Sequence, residues 1–166
     1  GVLTSVEAYP PPGGTPLPPL PHAVYEATAC VVGGRLYVMG GRECNRLQVL
    51  EMTEENQFSW SVRADLPAER GLAASAAAVD GKLWLMGGSY VDGVPNDSFI
   101  YDPEDDTWAR VLPLPHTASA CNAVMHDGEL HHISRRGTLI YRDGAWLEVT
   151  GGQNAFCATC QSLRLG

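Results

Sequence analysis

The sequence is dominated by short apolar runs of about four to eight residues, each ended by glycine, proline, aspartate or asparagine. The clearest series contains four such runs, at positions 72–79, 83–86, 98–101 and 107–111. Asp80-Gly81, between the first two runs, is a signal for a tight hairpin turn. No stretch keeps a 3.6-residue apolar period, so the pattern predicts short antiparallel strands and no substantial helix. The 18 glycines and 12 prolines agree with this interpretation, because these residues punctuate strands with turns.

The series repeats along the chain at an interval of 47 or 48 residues. Four markers share the interval: Gly34 and Gly81, the glycine pairs at 40–41 and 87–88, Trp60 and Trp108, and Leu66 and Leu114. A third unit begins at Gly128 and retains Trp146, but Ser134-Arg135 replaces its glycine pair. Four short antiparallel strands in about 47 residues are the content of one propeller blade. The repeat therefore predicts a β-propeller.

At this interval the sequence divides into five segments. We interpret residues 1–21 as the end of a preceding blade with a proline-rich connection, and 151–166 as the closing strand of another blade. The remaining segments are predicted to be two full blades, 22–67 and 68–115, and a degenerate blade, 116–150. The 166 residues hold about three and a half intervals, whereas a closed propeller needs about four blades or more. We therefore expect an incomplete ring.

Charge and cysteine content narrow the classes of partner. The chain carries 11 lysines and arginines against 19 aspartates and glutamates, a net charge of −8 with a pI near 5.0. No basic run is present, so we expect no binding to nucleic acid, which needs a clustered basic face. No apolar stretch approaches the roughly 20 residues that span a bilayer, so no membrane contact is expected. The five cysteines do not resemble a disulfide framework, which favours a reducing, cytoplasmic location.

Two groups of potential metal ligands have ordinary structural explanations. Cys157 and Cys160 have a metal or redox spacing, but a structural zinc site usually needs two such pairs. His126, His131 and His132 lie close together in the third unit. Adjacent residues of a strand face opposite ways, so His131 and His132 are not expected to share a metal. We predict no metal site and interpret these residues as packing positions.

Three further polar residues, His22, Glu69 and His116, follow successive Leu-Pro pairs at intervals of 47. Radial repetition could place them around one central opening, as a metal or proton-transfer ring. We expect solvated loop residues instead. No Ser-His-Asp order, phosphate-binding loop or dinucleotide fingerprint appears. The sequence therefore predicts neither catalytic residues nor a cofactor, and no enzyme.

The second unit resembles the kelch repeat. The residues that carry the resemblance are Asp80-Gly81, Leu83-Trp84, Met86-Gly87-Gly88, Tyr101-Asp102-Pro103 and Trp108. The resemblance extends over roughly residues 15–150, is weaker in the other two units, and is greatest to the BTB–kelch class. It implies an all-β, kelch-type propeller of four-stranded antiparallel blades. Because kelch propellers resemble six-bladed wheels, it also implies that this chain is the C-terminal half of such a ring.

The resemblance further implies that the chain recognises a protein or peptide. Many BTB–kelch proteins are substrate receptors for cullin-type ubiquitin ligases. The cullin would be bound through N-terminal BTB and BACK domains, which are absent from these 166 residues. A structural or actin-associated scaffold is the alternative function. A kelch-type enzyme, an oxidase or a sugar epimerase, is a further alternative.

Long loops after the second strand of each unit are the candidate partner-binding site. Loops carry function when a rigid scaffold positions them, and arginine and tyrosine are enriched at interface hot spots. In the BTB–kelch class, arginines, serines and tyrosines at the blade rims hold acidic peptide motifs. The partner-binding candidates, which include one loop before an inner strand, are Arg42, Asn45, Arg70, Tyr90, Asp92, Arg135 and Arg136.

Overall fold

The computed structural model describes residues 6–8, 15–67, 74–88, 96–118 and 121–149. Within these ranges it contains fourteen β-strands and no helix. The first two strands, β1 (Val6–Ala8) and β2 (Thr15–Leu17), pair in an antiparallel two-stranded sheet. The other twelve form three separate four-stranded antiparallel sheets. The predicted all-β class is confirmed.

Each four-stranded sheet is one blade, with its strands in chain order. Blade 1 consists of β3 (Thr28–Val32), β4 (Arg35–Met39), β5 (Leu47–Met52) and β6 (Phe58–Arg63). Blade 2 consists of β7 (Ser75–Val79), β8 (Lys82–Met86), β9 (Ser98–Asp102) and β10 (Thr107–Val111). Blade 3 consists of β11 (Asn122–His126), β12 (Glu129–Ser134), β13 (Gly137–Arg142) and β14 (Ala145–Glu148). The glycine pairs at 40–41 and 87–88 follow the second strands directly, as predicted.

The strand registers of the three blades are equivalent. The tryptophan of the fourth strand lies opposite one residue of the third strand in every blade: Trp60 opposite Leu50, Trp108 opposite Tyr101, and Trp146 opposite Tyr141. In blades 2 and 3 this pair is aromatic, with ring centroids 5.1 Å apart in both. The tryptophan interval read from the sequence therefore marks one structural position.

The blades pack face to face through two apolar cores. The inner strand β7 contacts both β3 and β11, and its alanines allow these close approaches because their side chains are small. The first core joins Tyr37 and Val49 of blade 1 to Leu83 and Tyr101 of blade 2. The second joins another set of blade 2 and blade 3 residues: Trp84, Met86, Leu130, Leu139, Tyr141 and Trp146. Alternation along each strand gives every blade one face for each neighbour.

Two tryptophans bind their blades to the connection that enters them. The indole N–H of Trp60 donates to the carbonyl oxygen of Pro18 at 2.7 Å, and that of Trp108 to Ala64 at 2.9 Å. A carboxylate strengthens the second link, since Asp106 Oδ1 accepts hydrogen bonds from the Ala64 N–H and the Tyr101 hydroxyl. Burial first, and then this hydrogen bond, raise the pKa of Tyr101, so its hydroxyl remains a donor.

The second glycine pair is required by a close contact between chain segments. Gly87 has a φ of +62°, and a Cβ at this position would lie 2.6 Å from the carbonyl oxygen of Ala118. Gly88 donates its N–H to the same oxygen at 3.0 Å. The end of the second strand of blade 2 is therefore bonded to the connection that leads into blade 3. A residue larger than glycine would separate these segments.

The outer face of blade 1, which is turned away from blade 2, carries exposed apolar side chains. Met52 pairs with Phe58 across β5 and β6, and Val62 lies two residues beyond Trp60 on the same face. Met52 is 57% exposed, and Phe58 and Val62 are each 41% exposed. The equivalent face of blade 2 is buried against blade 1. Blade 1 therefore has an apolar face that no other described residue covers to this extent.

Candidate recognition surface

Antiparallel connectivity places two kinds of loop at the same end of each sheet. The loop between strands two and three and the connection that leaves strand four lie at one end, which we call the rim. The tight turns between strands one and two and between strands three and four lie at the other end, which we call the hairpin end. All seven of the predicted partner-binding residues belong to rim segments.

The rim loop of blade 1 is fixed by main-chain hydrogen bonds. The N–H of Arg42 donates to the carbonyl oxygen of Tyr25 at 2.9 Å, and the N–H of Gly40 donates to that of Arg46 at 3.0 Å. Arg46 is itself bound to Asp65, with 2.8 Å between Nη1 and Oδ2. The side chain of Arg42 is exposed. Its backbone is therefore anchored while its guanidinium remains accessible.

Asn45 has an anchoring role in this loop. Its carbonyl oxygen accepts a hydrogen bond from the N–H of Leu66 at 2.8 Å, in the connection that leaves blade 1. Asn96 makes the equivalent contact in blade 2, where its carbonyl oxygen accepts from the Leu114 N–H and its side-chain amide donates to the Leu114 carbonyl. Sequence reasoning missed this anchor. The signal was available, because each asparagine stands two residues before a third strand.

The rim segment of blade 3 differs from the prediction of a long loop. Arg135 and Arg136 form a two-residue turn between β12 and β13. Ser134 supports the turn, because its hydroxyl accepts a hydrogen bond from the Arg136 N–H at 3.2 Å. The prediction of a long loop here was wrong: without a glycine pair, β12 continues to Ser134 and turns directly into β13. Both arginine side chains are exposed.

The three remaining candidates, Arg70, Tyr90 and Asp92, lie outside the described residues. The described candidates come from blades 1 and 3, which lie on either side of blade 2. The structure thus places Arg42 and the Arg135-Arg136 pair at the rim ends of two different blades. A ligand that contacted both would have to extend across blade 2.

The hairpin end carries most of the negative charge of the described turns. Its turn carboxylates are Glu54, Glu55, Asp80, Glu104, Asp105, Asp106, Asp127 and Asp143. Three basic residues near this end are each paired with a strand carboxylate, as Arg35 with Glu51 at 3.3 Å, Lys82 with Asp102 at 2.7 Å, and Arg142 with Glu129. These pairs leave the turn carboxylates as the excess charge of this end.

The ion pairs at the hairpin end also set the protonation of their carboxylates. The hydrogen bond from Lys82 lowers the pKa of Asp102, and that from Arg142 lowers the pKa of Glu129. At the rim, by contrast, neither Arg42 nor Arg136 has an ion-pair partner within the described ranges. The two ends of the sheets therefore differ in sign, and accessible positive charge lies at the rim.

The histidines are distributed as the strand geometry predicts, with one exception. His131 lies on the outer face of blade 3 with its ring centroid 5.6 Å from that of His126, and His132 is buried on the opposite face. The exception is His116, which we expected to be solvated. Its Nε2 atom is buried instead, because the connection after Leu114 packs against blade 3. Glu69 and the pair Cys157 and Cys160 lie outside the described residues.

His22, the third of the equivalent connection residues, is held through its main chain. The amide of the fully buried Gln48 accepts from the His22 N–H at 2.7 Å and donates to its carbonyl oxygen at 3.0 Å. Across the ranges that the structure describes, no group of three or more histidines, cysteines, aspartates or glutamates is arranged to hold a metal ion. The same ranges contain no helix long and apolar enough to cross a membrane.

Comparison with known proteins agrees with the blade geometry. A family model described as the kelch motif matches residues 70–115, which contain all four strands of blade 2. The chain is a kelch-repeat segment. This kelch segment is similar in structure to the solved structure of YjhT, a kelch β-propeller, with a TM-score of 0.62. That similarity covers 70% of the segment and 36% of YjhT at 22% sequence identity, so it shows the fold alone.

The sequence relatives of the kelch segment include kelch-like proteins and an enzyme. It is 30% identical to Kelch-like protein 35 of Mus musculus over 142 residues, which is 81% of this chain and 23% of that protein. It is 32% identical to Kelch-like protein 33 of Homo sapiens over 123 residues, 72% and 23% of the respective chains. N-acetylneuraminate epimerase of Pasteurella multocida is 28% identical over 118 residues, 67% of this chain and 30% of the enzyme. The chain thus spans about a quarter of the length of these relatives.

Proposed function

We propose that the kelch segment is a protein-recognition module that binds an acidic segment of a partner protein at its rim. One observation carries the proposal. Arg42 and Arg136 project from anchored rim segments without an ion-pair partner among the described residues, while the turn carboxylates lie at the hairpin end. An accessible arginine on a fixed backbone can form a two-pronged contact with a carboxylate, and such contacts are among the stronger hydrogen bonds.

The net charge of −8 does not oppose this proposal. Screening at physiological salt limits the reach of a charge to about 8 Å, so a peptide at the rim interacts mainly with the local arginines. The hairpin carboxylates instead favour one orientation, because they repel an acidic ligand from the other end of the blades. A charged hydrogen bond contributes roughly 1.5–3 kcal/mol, so two or three such contacts would provide micromolar binding only together with apolar contacts.

In the larger context, we propose that the module is the substrate-recognition part of a cullin-type ubiquitin ligase adaptor in the cytoplasm, and not an enzyme. Similarity to Kelch-like proteins 35, 33 and 40 supports a protein-interaction module. The adaptor role, the cullin contact and the location are proposals that concern a protein much longer than this segment. No cofactor is proposed, and neither nucleic acid nor membrane is proposed as a partner.

A peptide-selection experiment tests the recognition function without knowledge of the natural partner. A phage-displayed library of random 12-residue peptides is selected against immobilised kelch segment and, in parallel, against the R135A/R136A double variant. The proposal predicts enrichment of peptides with aspartate and glutamate on the wild type, and loss of that enrichment on the double variant. Arg35→Ala is the matched control, because Arg35 is also exposed but pairs with Glu51 near the hairpin end.

The selection also separates recognition from a scaffold. If no peptide is enriched by the wild type, or if the same peptides are enriched by the double variant, the rim is not a peptide-binding surface. A scaffold role, including association with actin filaments, would then be the better explanation. Co-sedimentation of the segment with filamentous actin gives that alternative its own positive result.

Catalysis is a second candidate, because the segment is similar to N-acetylneuraminate epimerase. An epimerase needs acid and base side chains that converge on one sugar. Proton nuclear magnetic resonance of N-acetylneuraminate, incubated with and without the protein, tests this directly. Accelerated interconversion of its anomers or epimers would establish an enzyme. An unchanged rate, together with acidic-peptide enrichment, would support recognition.

A further inference from the structure

The junction between blades 2 and 3 contains polar side chains at positions that are apolar in the preceding junction. Leu47 of blade 1 and Leu85 of blade 2 belong to the same apolar core. In the next junction the equivalent positions are Ser98 and His132, as the registers show. Both side chains are fully buried. One pair of leucines is thus replaced by a hydroxyl and an imidazole at an interface between blades.

Several nitrogen and oxygen atoms of this junction are buried without a hydrogen-bond partner in the described part of the chain. They are His132 Nδ1 and Nε2, His116 Nε2, Ser98 Oγ and Trp146 Nε1. The rings of His132 and Trp146 contact each other at 6.2 Å in a T-shaped arrangement. Buried polar groups without partners weaken an interface, since each loses its hydration without compensation. This junction is therefore the weaker of the two.

We propose that His132 makes the junction between blades 2 and 3 an acid-sensitive latch, closed while the imidazole is neutral and opened when it takes up a proton. The reason is the surroundings of His132. Blade 2 presents Trp84, Met86 and Ser98 to this face of blade 3. A charged imidazole buried among them would have no anion to compensate it, so it gains more from water than from the closed interface.

The titratable groups around His132 favour the neutral form. From the connection that enters blade 3, His116 adds a second basic group beside it. From β13, Tyr141 lies on the same face, and from β14, Glu148 stands at the exposed end of the row that contains His132 and Leu139. Burial and then His116 lower the pKa of His132 from 6.5 to about 4. The neighbouring strand β11 contributes only Ala123 opposite His132.

The sign of the pH dependence follows from this depressed value. The unfolded or opened chain takes up the proton at a pH near 6.5, whereas the closed junction does so near pH 4. Stability from the neutral imidazole is therefore complete above about pH 6.5 and decreases as the pH falls towards 4. Between pH 7.5 and 5, the opening equilibrium should shift by about 30-fold towards the open state because of this one group.

Comparison of wild type with His132→Leu tests the latch, because leucine is the residue at the equivalent position 85. Urea unfolding of the 166-residue chain is measured at pH 7.5, 6.5 and 5. The wild type should lose about 30-fold more in its folding equilibrium constant over this range than the variant does. His126→Gln, an exposed histidine of the same blade, should keep the wild-type pH dependence. If His132→Leu does not fold, His132→Gln, which does not titrate either, replaces it.

Hydrogen exchange locates the opening. At pH 5, after correction for intrinsic exchange rates, amides of β12–β14 should lose protection relative to those of β4 and β5 in the wild type but not in His132→Leu. Equal pH dependence in the two proteins, or an equal loss of protection in all three blades, would overturn the proposal. These measurements do not require a peptide ligand, so their outcome is independent of the proposed recognition function.

Discussion

Trp108 of blade 2 donates its indole N–H to the carbonyl oxygen of Ala64, 2.9 Å away in the connection that leaves blade 1. The equivalent hydrogen bond of Trp60 reaches Pro18. Each tryptophan thus binds the outermost strand of its blade to the chain segment that enters the blade. The recurrence of tryptophan at 48 residues has a physical reason beyond core volume, because tryptophan supplies both a large ring and a donor.

Trp108→Phe should destabilise the segment more than Trp146→Phe does. Both changes remove a similar apolar area, but only Trp108 has a hydrogen bond to lose, since Trp146 Nε1 has no partner among the described residues. The expected difference in the free energy of unfolding is about 1 kcal/mol, from one net hydrogen bond. Urea unfolding at pH 7.5 measures it. Equal destabilisation would show that the Ala64 contact does not contribute to stability.

Asp106→Ala should lower the free energy of unfolding by about 1–3 kcal/mol. Asp106 Oδ1 accepts from both the Tyr101 hydroxyl at 2.7 Å and the Ala64 N–H at 2.8 Å, so its removal leaves two donors unsatisfied. Asp105→Ala is the matched control, because Asp105 is an exposed residue of the same turn. Thermal or urea unfolding compares the two variants. A similar effect of both would mean that turn conformation, not the link between blades, is responsible.

The 166-residue chain should self-associate through the outer face of blade 1. Met52 and Phe58 form an exposed apolar pair there, on the face that blade 2 buries in its own case. Sedimentation velocity should show concentration-dependent association at micromolar protein, and Phe58→Glu should reduce it. The exposed Leu112 lies in the connection that leaves blade 2, and Leu112→Glu serves as the control. A monomeric wild type at these concentrations would contradict this prediction.

The fold followed from the sequence because its markers are local. Glycine pairs, hairpin turns and tryptophans repeat at nearly fixed intervals, and each has the same structural position in all blades that retain it. The position of the glycine pair was predicted for the same reason. At Ser134-Arg135 the pair is absent, and the structure has a two-residue turn in place of the expected long loop. A marker that is lost gave no information about its replacement.

The contacts between segments could not be predicted in the same way. Asn45 and Asn96 make equivalent main-chain contacts, yet they are 51 residues apart because the two rim loops differ in length. His131 and His132 look alike in sequence, and only the packing of blade 3 against blade 2 determines which of them is buried. His116 became buried for the same reason. Burial of a polar side chain depends on partners distant in the chain, which a local pattern does not specify.

The affinity of the rim variants for an acidic peptide tests the central claim most directly. A fluorescently labelled peptide enriched on the wild type is titrated, by anisotropy, with wild type, R135A/R136A and Arg35→Ala. We predict that the double variant binds at least tenfold more weakly, about 1.4 kcal/mol, and that Arg35→Ala binds as the wild type does. Melting temperatures should be nearly unchanged, since exposed substitutions usually alter stability by no more than about 0.5 kcal/mol. Equal affinity of the double variant and the wild type, with both folded, would contradict recognition at this rim.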